Sequence, residues 1–204
     1  MSGLQPQRVG LFGGAFDPPH RTHVALAQAA IAQLDLDILH VVPTGHAWHK
    51  QRALTAAEHR LAMCHLAFAD VYRAVVDDRE TLRSGPTYTI DTLQELQAQY
   101  PGAQLFLIMG EDQAKALSTW HRAEDLARAA TICVASRSES TGTASPVDGS
   151  SGLSGSPLRQ LQLPPSPLNA TEIRDLTARG QSVSTLVFES VARYIDQHHL
   201  YLAA

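Results

Sequence analysis

The 204-residue chain contains two cysteines, carries no net positive charge, and has no apolar run near the ~18 residues of a membrane span. Each shortage excludes something. Cys64 and Cys133 are too few and too embedded in apolar sequence for a disulfide framework or a zinc ribbon, and are read as core residues. A formal charge of -4 gives no basic footprint for DNA or RNA, which points to a small-molecule partner. The first residues, Met1 to Arg8, are polar and hold no apolar signal segment, so a cytoplasmic location is expected. No internal repeat is present, and no dense carboxylate cluster. With 44% hydrophobic and 18% charged residues, the composition is that of a soluble globular protein, and the length fits one domain over residues 1–204.

What is present is an alternation of strand and helix patterns. Val9 to Phe12 is a short apolar run bounded by glycines, the mark of a strand buried on both faces. From Thr22 the apolar positions Val24, Ala27, Ile31 and Leu34 recur at helical spacing, and Ile38 to Val42 reads as a second strand. The capping-box spacing of Thr55 and Glu58 predicts a helix carrying Leu61, Cys64, His65 and Phe68. Further on, strands are predicted at Tyr72 to Val76, Leu105 to Met109 and Thr131 to Ala135, with helices at Thr89 to Gln99 and around Ala114 to Leu126. Residues 136–167 are rich in Ser, Gly, Thr and Pro and read as a mobile surface loop with one short strand at Leu158 to Leu163. A C-terminal helical segment over 171–199 closes the chain, broken at Gly180, with Val187, Val191 and Ile195 facing inward. Alternating strands and helices predict a doubly wound α/β fold, its sheet mostly parallel with helices on both faces.

In such a sheet, ligands bind beyond the carboxyl ends of the strands. Three polar groups follow candidate strands: Gly13 to His23, Thr44 to Lys50, and Gly110 to Asp112. Gly13 and Gly14 permit tight turns and close backbone approach, and the helix beginning near Thr22 supplies N–H groups and a dipole, together an anion site. A cationic histidine at a helix N-terminus is disfavoured by about 0.3–1 kcal/mol, so His20 and His23 are odd there without an anion. Decoration of an exposed helix start and a two-histidine metal site stay open as rival readings, the second weakened because a catalytic zinc needs three protein ligands.

As a unit, Gly13-Gly14-Ala15-Phe16-Asp17-Pro18-Pro19-His20-Arg21-Thr22-His23 resembles the signature of the nucleotidyltransferase superfamily, with Thr22 where that family has glycine. A second motif of that superfamily, Ile-Ser-Ser-Thr-x-x-Arg, is matched by Leu168 to Arg174, with Asn169 in place of a serine. The segments Pro43 to Lys50, Glu58 to Met63, Thr87 to Leu93, Phe106 to Asp112, Trp120-His121, Tyr194-Ile195 and Leu200-Tyr201 add a resemblance to the bacterial nicotinate-nucleotide adenylyltransferases. They occur in family order and cover the chain apart from 136–167.

The resemblance implies adenylyl transfer from ATP to nicotinate mononucleotide, with Mg²⁺ carried by the ATP phosphates. It implies that His20, His23 and Arg174 are catalytic, and that Gly13, Gly14, Phe16, Gly110, Asp112 and Thr171 join them around ATP. His49, Lys50, Thr87, Tyr88, Thr89 and Trp120 are implied at the mononucleotide. The residues taken alone leave other roles open: Lys50 as a solvated loop lysine, Asp112 as a helix N-cap, Trp120 as packing, Thr22 as a helix cap, and Arg60 on a helix surface. Relatives acting on nicotinamide mononucleotide or phosphopantetheine, and a non-catalytic nucleotide-binding module, are the alternatives.

Overall fold

A computed structural model describes residues 6–45, 53–137, 158–164 and 169–202, with the side chains of 136 and 137 excepted. His49, Lys50 and most of the loop expected over 136–167 lie outside the described residues. The first βαβ unit runs through β1 (Arg8–Gly14), α1 (Arg21–Leu34) and β2 (Ile38–Pro43). It continues with α2 (Ala57–Phe68), β3 (Ala74–Val76), the short α3 (Arg79–Leu82) and α4 (Thr89–Gln99). The second half holds β4 (Gln104–Gly110), α5 (Glu111–Lys115), α6 (Ala123–Ala129), β5 (Thr131–Arg137), β6 (Arg159–Leu163), α7 (Ala170–Ala178) and α8 (Glu189–Gln197).

The six strands lie in the order β3-β2-β1-β4-β5-β6, and all five pairings are parallel. The expected sheet was mostly parallel; among the described residues it is wholly so. Order reverses between β1 and β4, which opens a crevice at their carboxyl ends. Side-chain alternation sorts the core into two layers. Leu105, Leu107 and Met109 of β4 join the layer under α4 and α6, while Phe106 and Ile108 join the layer under α1, α2, α7 and α8. Strand β6 is an edge, and Gln33 of α1 covers part of it: its amide donates to the Gln162 carbonyl at 2.8 Å and accepts from the Gln162 N–H at 3.0 Å.

Three local expectations give way. The cap of α2 is Ala56, without a side-chain hydrogen bond, and Thr55 stands one residue outside it. That helix also buries Arg60, Met63, Cys64, Ala67 and Phe68, so the inward face is rotated from the Leu61 and His65 stripe, and His65 is exposed. The single helical stretch expected around Ala114 to Leu126 is three pieces: α5, a 3₁₀ turn at Leu117–Thr119, and α6. Arg122, at φ 55, is the left-handed break before α6. Among the described residues, no helix is long and apolar enough to cross a membrane.

Candidate active site

The turn after β1 is shaped less by its glycines than by the phenylalanine that follows. Gly13 has nothing within 4 Å of where a Cβ would stand, so the strand end is left bare. At Gly14 the Phe16 ring comes to 3.1 Å of that place, so a side chain there would need the ring to give by a few tenths of an ångström. The left-handed backbone in this turn falls on Phe16, at φ 46, a conformation costing a non-glycine residue about 1–2 kcal/mol. Its ring is locked edge-on against Phe12, His23 and Phe68, at 5.3, 5.0 and 5.9 Å. Phe16 was expected beside ATP. With 2% of its surface exposed it forms the floor under the histidines.

His20 is the N-cap of α1. Its backbone N–H donates to His23 Nδ1 at 3.1 Å, and the two rings stack with centroids 3.7 Å apart. That bond makes Nδ1 of His23 the acceptor, so a neutral His23 carries its proton on Nε2. His20 is 5% exposed, which removes the surface-decoration reading, and its Nδ1 has no hydrogen-bond partner among the described residues. Burial lowers its pKa to about 4, so the ring is neutral at pH 7. A buried imidazole nitrogen without a partner carries a desolvation cost of about 1–3 kcal/mol, which an incoming anionic oxygen would offset once the ring takes a proton. Among the described residues, no three His, Cys, Asp or Glu side chains are grouped to hold a metal.

Arg174 reaches this turn from the far end of the chain. Its Nη1 donates to the Asp17 carbonyl at 2.8 Å and its Nη2 to Thr171 Oγ1 at 2.9 Å. Asn169 caps α7 by accepting from the Glu172 N–H at 2.9 Å, so this departure from the family motif keeps the cap's chemistry. These groups surround a cavity of about 670 Å³ at the switch point, with Gly13 and Gly14 from β1 and Gly110 and Asp112 from the end of β4. Gly110, not Asp112, is the N-cap of α5, leaving the exposed Asp112 carboxylate on the cavity wall. Thr22 lies on the same wall. It is two residues inside a helix already capped by His20, which removes its expected capping role.

The candidate mononucleotide residues stand apart from that wall, which includes none of Thr87, Tyr88, Thr89 or Trp120. Thr87 is buried, and its methyl lies 3.1 Å from where a Cβ of Gly45 would be; that Cβ would also overlap the Glu80 carbonyl. Gly45 therefore lets the chain cross residues 80–87 just before the segment that carries His49 and Lys50. Tyr88 caps α4 and lays its ring over His121, 4.2 Å between centroids, next to the half-buried Trp120. Both Tyr88 and Trp120 also pack on the core layer under α4.

Arg60 was expected on a helix surface, and the structure reverses this. It is 2% exposed, with Nε donating to the Thr55 carbonyl at 2.8 Å and Nη1 to the Ala15 carbonyl at 3.0 Å. It braces the turn from beneath. The signal was its register with Met63, Cys64 and Ala67 on one helical stripe.

Comparison with known proteins places this geometry. Residues 11–176 match the cytidylyltransferase-like family. A probable nicotinate-nucleotide adenylyltransferase of Albidiferax ferrireducens is 53% identical over 97% of this chain and all of its own length, 100%. One from Neisseria meningitidis serogroup B is 40% identical, over 96% of this chain and 98% of its own. Among solved structures, the nicotinic acid mononucleotide adenylyltransferase of Plasmodium falciparum complexed with NaAD superposes with a TM-score of 0.78, covering 96% of this chain and 97% of that one. At 17% identity that likeness speaks for the fold.

Proposed function

The chain belongs to the nicotinate-nucleotide adenylyltransferases within the cytidylyltransferase-like family, and from that premise we propose how its residues carry the reaction. A phosphate oxygen of nicotinate mononucleotide attacks the α-phosphorus of ATP in line. The bond from that phosphorus to the bridging oxygen of the β-phosphate breaks, and nicotinate adenine dinucleotide and pyrophosphate result. No covalent enzyme intermediate forms, so positioning and charge stabilisation supply the rate; orientation alone is worth about 7–11 kcal/mol.

The observation that carries this reading is the buried Nδ1 of His20, without a partner among the described residues, on the wall of the 670 Å³ cavity, with His23 stacked on it and Arg174 nearby. His23 donates from Nε2 to a phosphate oxygen. His20 takes up a proton as the anion arrives and becomes a second donor. Arg174, a permanently charged planar fork, receives the departing pyrophosphate. Thr171, bonded to that fork, holds its plane. Asp112 accepts from ribose hydroxyls. For the mononucleotide, the roles are those the family resemblance implies: Lys50 and His49 for its phosphate, the backbone of 87–89 for the pyridine carboxylate, and Trp120 for stacking on the ring.

Of the three carboxylate residues lining the cavity, Asp17 is buried, while Glu111 and Asp112 are exposed and sit on one short helix. They fit a hydrated Mg²⁺ that arrives on the ATP phosphates, reached through water, better than a resident cation. Bound there, Mg²⁺ spreads the negative charge that builds on the pyrophosphate.

Pyrophosphate release from ATP and Mg²⁺, measured in parallel with nicotinate mononucleotide, nicotinamide mononucleotide or phosphopantetheine, tests the reading. Release is expected with nicotinate mononucleotide. Release with neither mononucleotide overturns it, whether or not phosphopantetheine reacts.

A further inference from the structure

Three stretches far apart in the sequence, residues 55–60, Arg174 and Tyr201, converge on one residue in the turn after β1. Asp17 is 2% exposed, and a carboxylate that buried needs a partner for each oxygen. Its Oδ1 accepts from the Tyr201 hydroxyl at 2.7 Å, and its Oδ2 from the Thr55 N–H at 3.3 Å. The Thr55 side chain also hydrogen-bonds the phenol oxygen, and the Arg60 guanidinium lies close enough to interact with the carboxylate. The backbone of the same residue is engaged as well, since the Asp17 carbonyl is what holds Arg174. Three residues on, the chain reaches His20.

Tyr201 lies just past α8, at φ 64, packed on the core layer that includes Val191 and Ile195. Its phenol therefore reaches Asp17 from a part of the molecule that does not itself line the cavity. Burial and the neighbouring Asp17 carboxylate push its pKa up, so it stays a hydroxyl and a donor at any pH where the enzyme works. A hydroxyl that donates a short bond to a buried carboxylate fixes that carboxylate's rotation. With both carboxylate oxygens anchored, the residue can shift little as a whole, and its backbone carbonyl, which accepts from Arg174, and the chain leading to His20 are held with it.

We propose that Tyr201 is a positioning residue for the ATP subsite: its hydroxyl fixes Asp17, and Asp17 sets the placement of Arg174 and His20 toward the triphosphate. This rests on the reading of the cavity as an ATP site. It separates Tyr201 from a residue that only packs, because the consequence falls on one substrate and not the other.

The test compares Tyr201→Phe, which removes one oxygen, with Tyr194→Phe, which removes the hydroxyl that bonds His59 at 2.9 Å outside the cavity wall. ATP affinity is measured by calorimetry without the second substrate, and KM for each substrate by steady-state kinetics. Tyr201→Phe is expected to weaken ATP binding about tenfold and to lower kcat/KM for ATP at least as much, a size typical of one charge-assisted hydrogen bond. KM for the mononucleotide stays within twofold, and Tyr194→Phe leaves all these values within twofold. Asp17→Asn is expected to show the same ATP-specific loss, and the double variant no more than the larger single loss, because both act through one bond. ATP affinity of Tyr201→Phe within twofold of the parent overturns the proposal. So does an equal rise in both KM values, or additive losses in the double variant. Absence of turnover by the parent would overturn the assigned reaction alone, since ATP titration still reads Tyr201.

Discussion

The bond from the His20 backbone N–H to His23 Nδ1 holds two stacked imidazoles in different states. His23 is fixed as an Nε2 donor, while His20 keeps a buried nitrogen without a partner. Removing His23 therefore removes a donor that needs no reorganisation at the moment of reaction. His23→Ala is expected to lower kcat about 10²-fold or more with little change in melting temperature. A rate near that of the parent in steady-state assays would take His23 out of the mechanism.

For His20 the consequence is a proton. Burial holds its folded-state pKa at about 4, against 6.5 for an ordinary imidazole. Between those pH values the unfolded chain binds more protons than the folded one, so stability is fully present above 6.5 and falls as pH drops toward 4, by roughly 3 kcal/mol. A bound polyphosphate favours the charged ring and raises that pKa, so ATP binding at pH 6 should take up protons. Calorimetry in two buffers of different ionisation enthalpy reads the uptake, and His20→Gln should abolish the difference between them. Buffer-independent heats for the parent would show that His20 stays neutral in the complex.

Much of the strand arrangement was legible because β1, β2 and β4 are short apolar runs closed by Gly or Pro, with helical periodicity between them. The cavity was legible for a related reason: polar residues after β1 and β4 must meet where strand order reverses. Contacts that join distant stretches were not. Arg60 looked like a surface residue because arginine is charged, and only its helical register marked it as buried. Asp17 and Tyr201 are 184 positions apart, and no local pattern announces a bond that tertiary packing creates. Phe16 lines the cavity, as its place in a family motif implies, but only the fold shows that its left-handed backbone and buried ring make it the floor there.

Arg174 bridges the Asp17 carbonyl and the Thr171 hydroxyl with two different nitrogens of one rigid plane. A lysine keeps the charge and reaches one partner at a time. Arg174→Lys is thus expected to retain the melting temperature within a few degrees and lose ~10- to 100-fold in kcat, with KM for the mononucleotide unchanged. Full activity in the lysine variant would reduce Arg174 to a point charge.

Thr22 stands on the cavity wall at the second position of α1, where the family signature has glycine. Its side chain narrows the approach to the phosphate turn, and its backbone benefits from not being glycine, by about 0.3 kcal/mol in a helix. Thr22→Gly is expected to lower KM for ATP a few-fold while costing about that much stability in urea titration. Unchanged KM and kcat would dispose of the crowding idea.

A second buried network, outside the cavity wall, gives a prediction about stability that leaves the chemistry alone. His40 Nδ1 donates to Asp77 Oδ2 at 2.7 Å, its Nε2 meets the Tyr100 hydroxyl at 3.1 Å, and Arg79 Nε reaches both Asp77 oxygens at 2.9 Å. Burial alone would raise the pKa of Asp77, but the hydrogen bonds from His40 and Arg79 outweigh it and hold the carboxyl well below its ordinary 3.8. A depressed folded-state pKa contributes stability that is present above the unfolded value and lost as pH falls toward the folded one. Asp77→Ala should therefore cost about 3 kcal/mol at pH 7, since it takes the carboxylate from the buried His40 and from the half-buried Arg79, while kcat of the folded fraction stays near the parent value. The gap between parent and variant should begin to close as pH drops below about 4. Urea titrations at pH 7, 5 and 3 measure it. A gap that stays constant to pH 3 would mean that the charge on Asp77 contributes nothing beyond the packing of its side chain.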